Sequence, residues 1–172
     1  MKFFAIAALA GTAQSAYSFG ACPTVELVDK FDATKYAGQW YNVYKDRLMP
    51  YTMTADCITQ NFTPREDGNV DLYFRGYYWA LADYIGVNGT MFQCDEGSKD
   101  SWTCQASMGT TDVHAKRHPI HVLATDYENW NVGYECKDHH NGLYKTEWVT
   151  INSRATTISD ESMNAALAAI KK

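Results

Sequence analysis

From residue 39 onward, apolar and polar positions alternate along segments of about ten residues, each closed by turn-forming residues. A period of two puts successive side chains on opposite faces of a half-buried strand. The pattern gives eight strands, at 39–47, 57–63, 69–79, 84–94, 102–108, 118–125, 129–137 and 144–151. Asp67-Gly68 is the clearest hairpin turn, because a type I′ turn needs two residues tolerant of positive φ. Asn141-Gly142 repeats that signal before the last strand. The expectation is an all-β, up-and-down antiparallel barrel, and eight strands enclose room for one small molecule.

The period changes near the end. Ser159 can cap a helix, Asp160 and Glu161 suit its positive end, and Lys171 and Lys172 its negative end. Met163, Ala166, Leu167 and Ile170 share one stripe, so this C-terminal α-helix is expected to dock outside the barrel. The narrow, alanine-rich stripe favours docking over a membrane or partner helix.

The first residues read differently. Lys2, the short apolar run Phe3 to Ala10 and the small residues up to Ser18 have the layout of a secretory leader. The apolar run is too short to span a bilayer. Ala13-Gln14-Ser15 and Ala16-Tyr17-Ser18 are both open as cleavage sites. Residues 1–18 are read as signal peptide and 19–172 as one domain, secreted and without membrane insertion. A net charge of −5 leaves nothing to neutralise phosphates, which excludes a nucleic-acid partner. Twelve Tyr, seven Phe and five Trp supply area for a cavity wall, and equally for a filled core.

Five cysteines in an exported chain suit two bridges and one free thiol. Cys94 and Cys104 flank the polar stretch Asp95 to Asp100 and can meet across a hairpin. Closing that loop would contribute roughly 3 kcal/mol. Cys22 with Cys136 would tie the N-terminal arm to the barrel wall, contributing roughly 4 to 5 kcal/mol. Cys57 is then left over.

The run Phe31 to Tyr41 contains Gly38-Gln39-Trp40, and Val122 to Asn129 contains Thr125-Asp126-Tyr127. In this order and at this spacing, behind a leader, the two resemble the paired motifs of the lipocalins. Those are cup-shaped barrels that hold an apolar molecule. Cys22-Pro23, Cys57 to Thr63 and Ala124 to Asn129 are similar in particular to the apolipoprotein D and insect bilin-binding branch of that family. The resemblance implies that Trp40 plugs the closed end beside a floor turn formed by Asp126 and Tyr127. These are structural roles, not catalytic ones. The family also places an Arg or Lys four residues beyond a last-strand Trp, stacked on the floor Trp. Here Trp148 is followed at that spacing by Asn152, and Arg154 comes two residues later. Either a bulge returns Arg154 to Trp40 or the floor is sealed differently. The family bridges the cysteine matching Cys57 to one in a longer C-terminal tail, and no cysteine follows Cys136 in this sequence.

Asn61-Phe62-Thr63 and Asn88-Gly89-Thr90 are glycosylation sequons. A glycan must point outward, which turns Ile58, Gln60 and Phe62, and likewise Val87, Gly89 and Met91, inward. Leu72, Phe74 and Tyr78 share one face, which the resemblance assigns to the pocket. Trp148 matches a pocket tryptophan, and His121 stands where insect bilin binders carry an aromatic residue. Phe62, Leu72, Phe74, Tyr78, Met91, His121 and Trp148 are therefore the expected ligand-binding residues, with Tyr77, Tyr78, Trp79 and Tyr84 flanking the mouth.

The leading reading is an extracellular carrier of a small hydrophobic molecule, monomeric or weakly self-associating. It requires no cofactor, its bound molecule being a bilin, a carotenoid, a sterol or a fatty acid. The enzymatic alternative is a lipocalin-type isomerase using Cys57 as nucleophile, but Asp56 adjoins it and no basic residue is near in sequence to lower its pKa. A third reading, metal capture by His114, His118, His139 and His140, would need three or four imidazoles within about 2.1 Å of one point. Solvated loop histidines are the simpler account, and no metal is expected. A serine hydrolase has no nucleophile-elbow motif behind it.

Overall fold

The structure, a computed structural model, describes residues 17–28, 31–47, 49, 52–91, 106–108 and 121–171. Its elements in chain order are β1 (Tyr17–Phe19), α1 (Ala33–Tyr36), β2 (Gly38–Lys45), β3 (Ala55–Pro64), β4 (Val70–Tyr78) and β5 (Asp83–Met91). There follow β6 (Ala106–Met108), β7 (His121–Thr125), β8 (Trp130–His139), β9 (Tyr144–Ser153) and α2 (Asp160–Ile170). The sheet runs β6-β5-β4-β3-β2-β9-β8-β7, each neighbouring pair antiparallel. From β2 to β6 and from β7 to β9 each strand pairs with its neighbour in sequence, and β9 returns to β2, the up-and-down order expected from the alternation. The expected bridge partners Cys94 and Cys104 lie outside the described residues, as do residues 1–16.

The short strand β1 was not foreseen, because two of its three residues fall within the stretch read as leader. It occupies the edge of β9 beyond the end of β2. There β2 pairs with Thr150 to Ser153, and β1 pairs Tyr17 with Thr146 and Phe19 with Tyr144. Cys22 follows directly and is bridged to Cys136, with Cα atoms 5.9 Å apart.

Both predicted hairpin turns form, with different geometry. Of Asp67-Gly68 only Gly68 has positive φ, at 84°. Gly68 N–H donates to Arg65 O and Arg65 N–H to Asn69 O. This is a three-residue loop, a type I turn followed by a left-handed glycine. Asp67 cannot be moved to positive φ at no cost while its carboxylate accepts from Asn69 N–H at 3.0 Å. Before β9, Asn141 and Gly142 both have positive φ, as expected, and His140 ahead of them does too, so three residues in a row are left-handed. Gly142 N–H closes that turn onto His139 O.

Alternation sorts the two faces of the wall. Inside, Trp40, Phe62, Val70, Leu72, Met91 and Val122 form one buried cluster. Outside, Val132 and Ile151 pack against Ala166 of α2, together with Met163 and Ile170. Ser159 caps α2, accepting from Ser162 N–H. Leu167, placed on the docking stripe by its sequence, is 41% exposed. Contact at positions 163, 166 and 170 leaves the neighbouring ridge of the helix in water.

Candidate ligand-binding cavity

One end of the barrel is closed by a plug built from the first motif. Asp32 caps α1, accepting from Thr34 and Lys35 N–H, and the helix delivers Tyr36 beneath Trp40. The Trp40 indole, with no exposed surface, donates to Tyr36 O at 2.9 Å. Tyr36 packs at 5.0 to 5.2 Å against Phe62 and Trp40. Burial pushes the Tyr36 phenol well above its ordinary pKa, against the pull of Arg154.

The register Tyr41 to Ser153 brings Arg154 to the floor. Its guanidinium stacks 3.7 Å from the centroid of Trp40. Its nitrogens donate to the carbonyls of Tyr127, Gln39, Lys35 and Tyr36 at 2.8 to 3.2 Å. Of the two arrangements left open by the sequence, Arg154 on Trp40 is the one adopted. Gly38 has φ +90°, a conformation that L side chains rarely adopt, so glycine suits this position.

The neighbouring turn is organised by one carboxylate. Asp126 accepts from Glu128, Asn129 and Trp130 N–H and from the Asn129 amide. Partial burial pushes its pKa up, but these donors together outweigh that and hold it below the usual carboxylate range. Tyr127, at φ 66°, receives Asp32 N–H on its hydroxyl and so joins the turn to the plug.

Above the floor lies a cavity of about 290 Å³. All seven expected ligand-binding residues line it: Phe62, Leu72, Phe74, Tyr78, Met91, His121 and Trp148. The sequence reading missed a polar side to this interior. Asn42, Asn131 and Asn152 stand on one rung of β2, β8 and β9 and are linked by amide hydrogen bonds of 2.8 and 2.9 Å. Lys45 also faces the cavity, its ammonium held by the carbonyls of Thr52 and Ala55, and burial lowers its pKa. The inward parity of the three asparagines was available in the sequence, whereas Lys45 is turned inward by the bulge between Asn42 and Tyr44. An apolar search discards asparagine and lysine.

His121 stacks 6.3 Å from Tyr134, and burial pushes its pKa down, favouring the neutral ring. Trp79 and Tyr84 are exposed, and Tyr77 packs edge-on against Tyr84 on the outer wall. Asn61 and Asn88 are both exposed. Cys57 is an exposed free thiol at φ 50°, in the bulge of β3, and is not part of the cavity wall. His139 is engaged with Thr146 and Tyr144. His114 and His118 lie outside the described residues, among which no cluster of metal-ligating side chains occurs. Among those residues, too, no helix is long and apolar enough to cross a membrane.

The chain is 32% identical over 136 residues to apolipoprotein D of Oryctolagus cuniculus, covering 77% of this chain and 66%, just under two thirds, of that protein. It is 26% identical to the bilin-binding protein of Pieris brassicae over 96% of this chain and 84% of that one. Lobster apocrustacyanin A1 superposes with a TM-score of 0.72 at 19% identity, covering 92% of this chain and 84% of that one, a likeness of fold. Residues 37–172 match the profile of the Lipocalin / cytosolic fatty-acid binding protein family. With the plugged floor, the eight-stranded wall and this match, the chain belongs to the lipocalins.

Proposed function

We propose that this chain is an exported carrier that takes up one small hydrophobic molecule reversibly and performs no chemistry on it. The observation that carries this reading is the cavity, walled by Ile58, Phe62, Leu72, Phe74, Val87, Met91 and Trp148 and closed below by Trp40. A ligand losing about 500 Å² of apolar surface gains about 12 kcal/mol at 25 cal/mol per Å². Association costs at least about 4 kcal/mol of this. The surplus corresponds to a dissociation constant of about a micromolar. The relatives named for apolipoprotein and bilin binding support a lipid or a bilin as the occupant.

The position of Cys57, exposed and off the cavity wall, favours the carrier over a thiol-dependent isomerase. Pairing of Tyr17–Phe19 with β9 favours leader cleavage after Ser15 over cleavage after Ser18, which would remove two of the three β1 residues. The exposure of Asn61 and Asn88 is compatible with glycans at both. Absorption spectroscopy of native protein, with mass analysis of its organic extract, tests the reading. One apolar compound per chain is expected. Turnover of a lipid substrate that disappears in Cys57→Ala would replace the carrier with the enzyme.

A further inference from the structure

The linked asparagines have a direction, and it is fixed at one end. Asn42 Nδ2 donates to the backbone carbonyl of Tyr44 at 3.1 Å, a group that only accepts. The same nitrogen therefore donates to Asn152 Oδ1 at 2.9 Å. Asn152 must then present its nitrogen to Asn131 Oδ1, at 2.8 Å. The chain ends on Asn131 Nδ2, which has no partner, although Asn131 is wholly buried and lines the cavity.

An amide donor buried without an acceptor is costly, and native interiors rarely leave one unless something else supplies it. A second orphan on the same wall, Trp148 Nε1, is also a group that only donates. The rung bearing Asn131 is the next inward position above Trp40, about 7 Å along the strand. No free cation reaches it among the described residues. Arg154 is bound to four carbonyls at the floor, and Lys45 stands three residues farther along β2 with its ammonium on Thr52 and Ala55. A carboxylate seated on that rung would lack a counter-charge, and an ammonium would leave Asn131 Nδ2 without an acceptor.

Resting on the carrier reading, we infer that the ligand is an amphiphile whose buried end bears a neutral oxygen acceptor, a ketone, ester or hydroxyl. Asn131 Nδ2 is its hydrogen-bond donor at the base of the cavity. The Asn42–Asn152 relay holds that donor in place.

The test is competition by tridecan-2-one and by n-tetradecane, matched in heavy atoms, against N-phenylnaphthylamine bound to the full chain. In a merely apolar cavity the alkane binds more tightly, since the ketone loses hydration on entry. Here the ketone binds about three- to ten-fold more tightly, as one net hydrogen bond requires. The carbonyl stretch of the ¹³C-labelled ketone moves to lower frequency on binding. Asn131→Leu restores the alkane's advantage, and should that variant fail to fold, the wild-type order and the infrared shift still decide. An alkane that equals or beats the ketone, or an unshifted carbonyl band, overturns the inference and leaves the carrier standing. Tighter binding of tridecanoate than of the ketone also overturns it, moving recognition to Lys45. Failure of every probe to displace the reporter sinks both readings.

Discussion

Removing the Arg154 side chain tests how the barrel floor is held. The guanidinium contributes a stack on a fully buried indole and bonds to four backbone carbonyls. A cation–π contact of this kind stabilises by about 1 to 2 kcal/mol. Each charge-assisted hydrogen bond adds about 1.5 kcal/mol or more, but the bonds to Gln39 and Lys35 face solvent and count for less. The terms overlap, so simple addition overshoots. Arg154→Ala is expected to lose about 3 to 4 kcal/mol, a fall in Tm of about 10 °C for a domain of this size. Arg154→Lys keeps the charge but lacks the planar fork, and recovers less than half. Urea unfolding followed by tryptophan fluorescence measures the loss, and acrylamide quenching reports whether Trp40 becomes accessible. A loss below about 1 kcal/mol for the alanine variant, with Trp40 still protected, would refute the assignment of Arg154 as the seal.

Three further outcomes follow from the same geometry. Asp126 titrates lower in the native turn than in the unfolded chain. Its contribution is therefore complete above the unfolded pKa of about 3.9 and is lost as pH falls through the native value; Asp126→Ala should flatten that acid limb of the urea midpoint. Reduction of Cys22–Cys136, which closes a separation of 114 residues, should lower stability by up to about 5 kcal/mol, read as a shift in the thermal transition with and without reductant. Intact-mass analysis of the exported protein should find Ala16 at the N-terminus, whereas a chain beginning at Phe19 would contradict a role for β1 in the mature fold.

What the sequence made legible was whatever obeys a period or a motif. Strands β2 to β5, β8 and β9 follow from alternation to within about three residues, and α2 follows from its cap and its stripe. Helix α1 was missed because four residues complete barely one helical turn, too few for periodicity to register. Arg154 could not be assigned from spacing alone, since the register between β2 and β9 determines which residue lies over Trp40. The polar rung was invisible for another reason. Asn42, Asn131 and Asn152 each read as a break in an apolar pattern, and only strand pairing brings the three together. Leu167 shows the converse, an apolar residue on the right stripe that finds nothing to cover it.

The central claim, that the barrel holds one hydrophobic molecule inside, is tested most directly by equilibrium titration of the chain with N-phenylnaphthylamine, comparing wild type with Val87→Trp, Phe74→Ala and Cys57→Ala. The account predicts one probe per chain at about micromolar affinity. Binding should be abolished when the added indole fills the cavity, weakened when Phe74 is truncated, and unchanged when Cys57 is replaced. Undiminished binding by Val87→Trp, or saturation at several probes per chain, would contradict it.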